Sequence, residues 1–163
     1  MIKVLITGGT IDKQYNPLNG ELIFTQTSVE KMLLQSRSTV ETELEVLMLK
    51  DSLEMQDQDR EILSLACNKA TEKQIIITHG TDTMVESAET IHQHLASDKT
   101  VVLLGAMVPY QFKQSDALFN LGCAMSAVQI LKPGVYITMN GQVFDHKEVV
   151  KNRAIGEFVH LEG

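Results

Sequence analysis

Mostly apolar runs and amphipathic stretches alternate along the chain. The runs are Ile2 to Ile6, Leu44 to Leu49, Ile75 to Thr78, Val101 to Leu104 and Val135 to Met139. Three β-branched residues in a row at Ile75-Ile76-Ile77 suit a strand buried on both faces, as in a parallel sheet. Between the runs, apolar residues recur at three-and-four spacing and predict helices. These sets are Val29, Met32 and Leu33; Ile62, Leu63, Ala66 and Ala70; Met84, Val85, Ala88, Ile91 and Leu95; and Ala117, Leu118, Leu121, Ala124, Met125, Val128 and Leu131. Thr27 with Glu30 and Thr83 with Glu86 read as capping pairs, Asp57 as a cap, Ser115 as the start of the last helix and Pro133-Gly134 as its stop. Strands alternating with helices predict parallel strands joined by right-handed crossovers. The expected fold is a three-layer, doubly wound α/β domain with a mainly parallel sheet, one domain over 1–163. Residues 11–26, dense in turn formers around Tyr15-Asn16-Pro17-Leu18-Asn19-Gly20, read as a long loop or loose hairpin. Loops of that length commonly cover a site. The stretch 140–163 is less regular, with two further short apolar groups.

Composition narrows the function classes. The 163 residues are 44% hydrophobic and 21% charged, as in a globular protein that buries a real core. A net charge of −7 leaves no footprint for nucleic acid. No stretch approaches the roughly 20 apolar residues of a membrane span. The first apolar run is too short for a signal peptide and lacks a small-residue cleavage site. Cys67 and Cys123 both lie in apolar helical contexts and read as free thiols, which points to the cytoplasm.

Three predicted turns carry reactive groups: Thr10 after the first strand, Ser52 after the second, and Thr81-Asp82 after the third. Strand carboxyl ends share one rim in such folds, and ligands bind there. A hydroxyl attacks a carbonyl only when a base removes its proton and donors stabilise the oxyanion. Backbone N–H groups of glycine turns are suitable donors, and a lysine in a poorly solvated site can serve as the base. The blander alternative is that Thr81 and Asp82 merely cap the helix that follows. There is no Gly-x-Ser-x-Gly elbow, P-loop or dinucleotide fingerprint. His92 and His94, two apart on a helix, do not share a face and read as surface residues, so no metal or other cofactor is expected. His79 is expected to hydrogen-bond backbone near the rim and orient the turn.

Thr7-Gly8-Gly9-Thr10-Ile11 resembles the first signature of the bacterial-type L-asparaginases and glutaminase-asparaginases. Thr78-His79-Gly80-Thr81-Asp82-Thr83 resembles the second. Gly105-Ala106-Met107 with Pro109, Ser115, Asp116 and Asn120 is similar to the stretch that follows, and Asp145 with Lys151 to the segment that delivers the catalytic lysine. The resemblance runs through nearly the whole chain. It implies hydrolysis of asparagine to aspartate and ammonia, with Thr10 as nucleophile and Thr81, Asp82 and Lys151 as the second catalytic group. Lys151 would lower the proton affinity of Thr81. Asp82 would also hold the substrate's α-ammonium, Ser52 would grip its α-carboxylate, and Gly9, Gly80 and Ala106 would complete the binding set.

Three departures from the family pattern bear on substrate choice. Asp51-Ser52-Leu53-Glu54-Met55 stands where the family has Gly-Ser-Gln-Asp-Met, so Leu53 replaces a polar contact to the α-amino group. The tyrosine that assists the nucleophile has Tyr15 in the corresponding loop, at a shorter spacing after Thr10 than the family's, and Leu22 or Phe24 aligns there equally. The sequence stops where the family's smaller carboxyl-terminal domain would begin. The expected partner is a small asparagine-like amide. A homodimer or dimer of dimers is expected to close the rim, with apolar residues of the helix 115–131, including Phe119 and Ile130, and the segment 140–163 near the interface. The alternatives are an amidase for another small amide and a non-catalytic amino-acid-binding or regulatory domain.

Overall fold

The apolar runs lie side by side as strands, the central ones, Ile2 to Ile6, Ile75 to Thr78 and Val101 to Leu104, almost wholly buried and the edge run at Leu44 to Leu49 only half-buried. The computed structural model describes residues 1–161. In chain order the elements are β1 (Ile2–Gly8), β2 (Gln14–Tyr15), β3 (Leu22–Ile23), α1 (Val29–Gln35), β4 (Thr42–Lys50), α2 (Asp57–Lys69), β5 (Gln74–Thr78), α3 (Met84–His94), β6 (Thr100–Leu104), α4 (Ala117–Ile130), β7 (Gly134–Met139), β8 (Gln142–Asp145), β9 (Val149–Asn152) and β10 (Glu157–His160). A six-stranded sheet runs in the order β4-β1-β5-β6-β7-β8. Its first five strands are parallel and β8 runs antiparallel to β7.

Alternate residues of each strand point to opposite layers. Leu5, Ile75, Ile77, Val101 and Leu103 pack with Leu63 and Cys67 of α2 and with Met84, Ala88 and Ile91 of α3. Val4, Ile6, Ile76, Val102 and Leu104 pack with Val29 and Met32 of α1 and with Ala117, Leu121, Ala124 and Val128 of α4. The three-layer, doubly wound expectation therefore holds. The handedness expectation does not hold throughout. The β1–β4 step, over the α1 face, and the β4–β5 and β5–β6 steps, in the other direction over the opposite face, share one hand. The β6–β7 step continues in that direction, but with α4 on the α1 face, so its hand is reversed. Taking the three as right-handed, in line with the general rule, β6–α4–β7 is a left-handed crossover. The long connection 105–116 gives the chain room to cross the carboxyl edge of the sheet.

The segment 11–26 contains the loose hairpin, with Tyr15 paired to Leu22. The irregular tail resolves into structure that the apolar periodicity did not predict. Asn140 and Gly141, both with positive φ (49 and 86), make a two-residue turn from β7 into β8, and β9–β10 is a second hairpin. Several caps differ from expectation. Gln56, not Asp57, caps α2 in a reciprocal pair with Asp59. Thr27 binds the Val29 N–H one residue outside the Ser28 cap, and Ser115 does the same for Ala117 outside the Asp116 cap. Thr83 occupies the cap position of α3 but spends its hydroxyl elsewhere. His92 is half-buried, its ring centroid 4.2 Å from that of His146 with the two rings tilted at 38°, while His94 is exposed as expected. Among the described residues no helix is long and apolar enough to cross a membrane.

Candidate active site

Because β4, β1 and β5 are neighbours, the turns that leave their carboxyl ends meet. Gly9 N–H donates to Lys50 O at 2.9 Å, tying the first turn to the second. Gly9 has φ 78, and a Cβ placed there would collide with the backbone of Gly80. A Cβ on Gly80 would lie 2.5 Å from Ser52 Cβ and 2.6 Å from its Oγ. These two glycines let three backbones touch. The convergence expected from sequence is thus present. Thr10, Ser52 and Thr81-Asp82 share one rim, in the crevice where the chain leaves β1 for one face of the sheet and β5 for the other.

Thr10 opens a short 3-10 turn, Thr10–Asp12, and is partly exposed. The first N–H groups of such a turn have no partner within it, so they are free to meet an oxyanion. The turn is anchored from below by Asp12, which is wholly buried. Its Oδ1 accepts the Ser28 N–H at 2.7 Å and the Thr27 hydroxyl at 3.1 Å. Burial pushes its carboxyl upward against those two bonds. Asp12 escaped the sequence reading because a lone acid after Ile11 carries no periodic signal.

On the facing turn, Thr81 is buried and Asp82 half-buried. Asp82 N–H donates to Ser52 Oγ at 3.2 Å, and the Thr83 hydroxyl donates to Ser52 O at 2.8 Å. Thr83 therefore staples the second turn to the third instead of capping α3. Lys151 arrives on β9. Val149 and Phe158 of the β9–β10 hairpin are buried in the core beside α3, and Lys151, two residues after Val149, lies on the same face of the strand. Its Nζ donates to Thr81 Oγ1 at 2.8 Å and to Asp82 Oδ1 at 2.7 Å. Arg153, in the turn after β9, adds a bond from Nη2 to Asp82 O at 3.2 Å. Nothing in the sequence pattern singled Arg153 out.

Supporting bonds fix these turns. His79 is fully buried and sits between Gly80 O and Ser87 Oγ, both at 2.7 Å. A carbonyl can only accept, so Nδ1 carries the proton and Nε2 accepts from Ser87. Burial lowers its pKa to about 4, which keeps the ring neutral. The expected role in orienting the turn is what the geometry gives. Ala106, also buried, follows Gly105, whose carbonyl accepts from Asn120 Nδ2 at 2.9 Å. Asp116 accepts the Met107 and Val108 N–H groups at 3.0 Å. Lys13 pairs with Asp51. Burial raises the Asp51 carboxyl, but the Lys13 and Leu53 hydrogen bonds and the charges of Lys13 and Lys151 outweigh it and hold the group below its ordinary range.

Two candidates stand apart. Tyr15 is exposed on β2, its hydroxyl near Gly20, and no hydrogen bond joins it to Thr10 among the described residues. Phe24, the alternative in that loop, lies beside Lys13. Leu53 is 65% exposed next to Ser52, on the rim and outside the core.

The family described as Asparaginase, N-terminal matches residues 1–156. A probable periplasmic L-asparaginase of Haemophilus influenzae is 31% identical over 160 residues, which cover 92% of this chain and 46% of that protein. A glutamyl-tRNA(Gln) amidotransferase component of Archaeoglobus fulgidus is 30% identical over 148 residues, covering 88% of this chain and 35% of that protein. Among solved structures, the thermostable L-asparaginase from Thermococcus kodakarensis superposes with a TM-score of 0.86 at 25% identity, over 98% of this chain and 51% of that one. The chain thus spans about half the length of these relatives, or less.

Proposed function

Because the chain belongs to the asparaginase family, through its N-terminal domain, we propose that it is an amidohydrolase that converts the side-chain amide of L-asparagine, or of a close analogue, to the acid and ammonia. The observation that carries this reading is the lysine. A base-bearing side chain from a distant hairpin is brought to 2.8 Å from a threonine hydroxyl on the rim that Thr10 shares. In the proposed cycle Thr10 Oγ attacks the amide carbon, and the N–H groups at the start of its turn receive the developing oxyanion. The hydroxyl proton goes to the leaving nitrogen, the C–N bond breaks and ammonia departs. Water then attacks the ester, and Thr10 regains its proton as the acid leaves. Lys151, donating to Thr81 and Asp82, stabilises negative charge on Thr81 and so lets that hydroxyl move protons in either step. Tyr15 assists Thr10 only if the hairpin 14–23 folds over the rim on binding. No cofactor enters the cycle.

The test is ammonia release from asparagine, glutamine and simple amides. Thr10→Ala and Lys151→Met, each with an unchanged circular dichroism spectrum, should lose at least about a hundredfold in kcat. Near-normal turnover by either variant overturns the assignment. The likeness to an amidotransferase component favours a second reading, in which the same chemistry supplies ammonia to a partner protein; ammonia freely released by the chain alone would count against it. Free thiols at Cys67 and Cys123 support a reducing compartment such as the cytoplasm.

A further inference from the structure

We propose that Asp12 is a positioning residue for Thr10: its carboxyl clips together the two feet of the segment 13–27 and so uncouples the Thr10 turn from that segment's motion. This rests on the amidohydrolase reading and adds a residue to it. Asp12 acts through the turn it closes, not on the reacting atoms.

Burial changes abruptly at both feet. Ile11 and Asp12 are buried, as are Ser28 and Val29, and no residue from 13 to 27 is. The hydrogen bonds described for residues 14–26 join residues of that stretch to one another. A hairpin with so little hold on the core opens locally at small free-energy cost. The Thr10 turn is closed by the Asp12 N–H on Gly9 O at 3.1 Å and by the Lys13 N–H on Thr10 O at 3.2 Å. The residues that close the turn are thus the ones from which the segment departs. Motion of the segment reaches those two bonds first, unless Asp12 is held from outside it. The Asp12 side chain supplies that hold. Its Oδ1 accepts the N–H of Ser28, where the packed chain resumes, and the hydroxyl of Thr27 at the far foot. The arrangement is costly. Oδ2 is buried without a partner, and burial holds the carboxyl above its ordinary range. Capping α1 needs no such acid, since a serine or asparagine cap avoids a buried carboxyl. What Oδ1 joins accounts for the cost.

The test compares Asp12→Ala, Asp12→Asn and Thr27→Val with the wild type, at a temperature where each keeps the wild-type circular dichroism spectrum. Asp12→Ala should lower kcat for asparagine at least about tenfold with KM within about threefold. Asp12→Asn keeps Oδ1 as an acceptor for both donors and should stay within about threefold of the wild-type kcat. Thr27→Val, which removes one of the two bonds, should fall between them. Amide exchange reads the same clip without turnover. The N–H groups of residues 12 and 13 should exchange at least about tenfold faster in Asp12→Ala, relative to their intrinsic rates, with Ile76 and Ile77 of β5 unchanged. A folded Asp12→Ala with wild-type kcat, or with unchanged exchange at 12 and 13, overturns the proposal and leaves the amidohydrolase intact. So does an Asp12→Asn as slow as Asp12→Ala. If Asp12→Ala does not fold, Thr27→Val decides: wild-type kcat and wild-type exchange at 12 and 13 overturn the proposal, and a loss in kcat with faster exchange supports it. If the wild type cleaves no amide, the amidohydrolase reading fails, and exchange at 12 and 13 alone decides whether Asp12 fixes the Thr10 turn.

Discussion

Acidification should destabilise this protein through one ring. His79 has no access to solvent, and its two nitrogens are committed to Gly80 O and Ser87 Oγ. Burial, with a smaller push from the charge of Arg60, lowers its pKa from 6.5 to about 4, against the bond to Gly80. Between those values the unfolded chain binds a proton that the folded chain refuses. Stability therefore rises with pH across that window and is lost as pH falls from 6.5 toward 4. Integrating the two titrations from pH 6.5 to pH 4.5 gives a loss of about 2 kcal/mol. His146, lowered chiefly by burial, slopes the same way, and Asp12, raised by burial, slopes the opposite way. Both remain in His79→Gln, so the difference between the two proteins isolates His79. Unfolding free energies from urea titrations at pH 6.5, 5.5 and 4.5 should fall about 2 kcal/mol further in the wild type than in the variant. Parallel curves would show that the ring titrates normally and is not the buried neutral pivot described above.

Two further outcomes follow from packing. Gly80→Ala places a methyl 2.5 Å from Ser52 Cβ and should cost about 1–3 kcal/mol in urea unfolding, with kcat/KM falling more than about tenfold as Ser52 is displaced; a wild-type midpoint would mean the rim has slack. Phe119 and Ile130 are 59% and 83% exposed on α4, and a Cβ on Gly141 would touch the Phe119 ring at 3.2 Å, so Phe119 lies against the β7–β8 turn. Sedimentation at low micromolar concentration should give a homodimer or a dimer of dimers, shifted to monomer by Phe119→Lys, and a fully active wild-type monomer would remove the assembly and the reason for it.

What the sequence made legible follows from which forces are periodic. Strand and helix order was readable because burial on two faces writes itself as Ile75-Ile76-Ile77 and burial on one as the spacing of Met84, Ala88 and Ile91. The convergence of Thr10, Ser52 and Thr81 was readable because parallel strands place their carboxyl ends together. The left-handed β6–β7 step was not, because α4 carries the same apolar spacing whichever face it covers. Nor were the caps: hydroxyls at Thr27, Thr83 and Ser115 all had a capping reading, and each found a different bond in three dimensions. The Asn140-Gly141 turn was a signal present in the chain and passed over. Lys13, Arg153 and Asp12 had no signal, since their partners Asp51, Asp82 and Ser28 are remote in sequence and their pairing depends on the finished fold.

The distribution of contacts also separates what can vary at this site from what cannot. Gly9 stands against Gly80, Gly80 against Ser52, and Ser52 is bound by both Asp82 and Thr83. A side chain added at any joint of that chain moves the Thr10 turn and the Thr81-Asp82 turn together. The positions of Thr10 and Thr81 are therefore locked to the sheet. Leu53, Arg153 and Tyr15 lie outside the lock. Each is exposed, each is held by few bonds, and each can be exchanged at a cost of well under a core substitution.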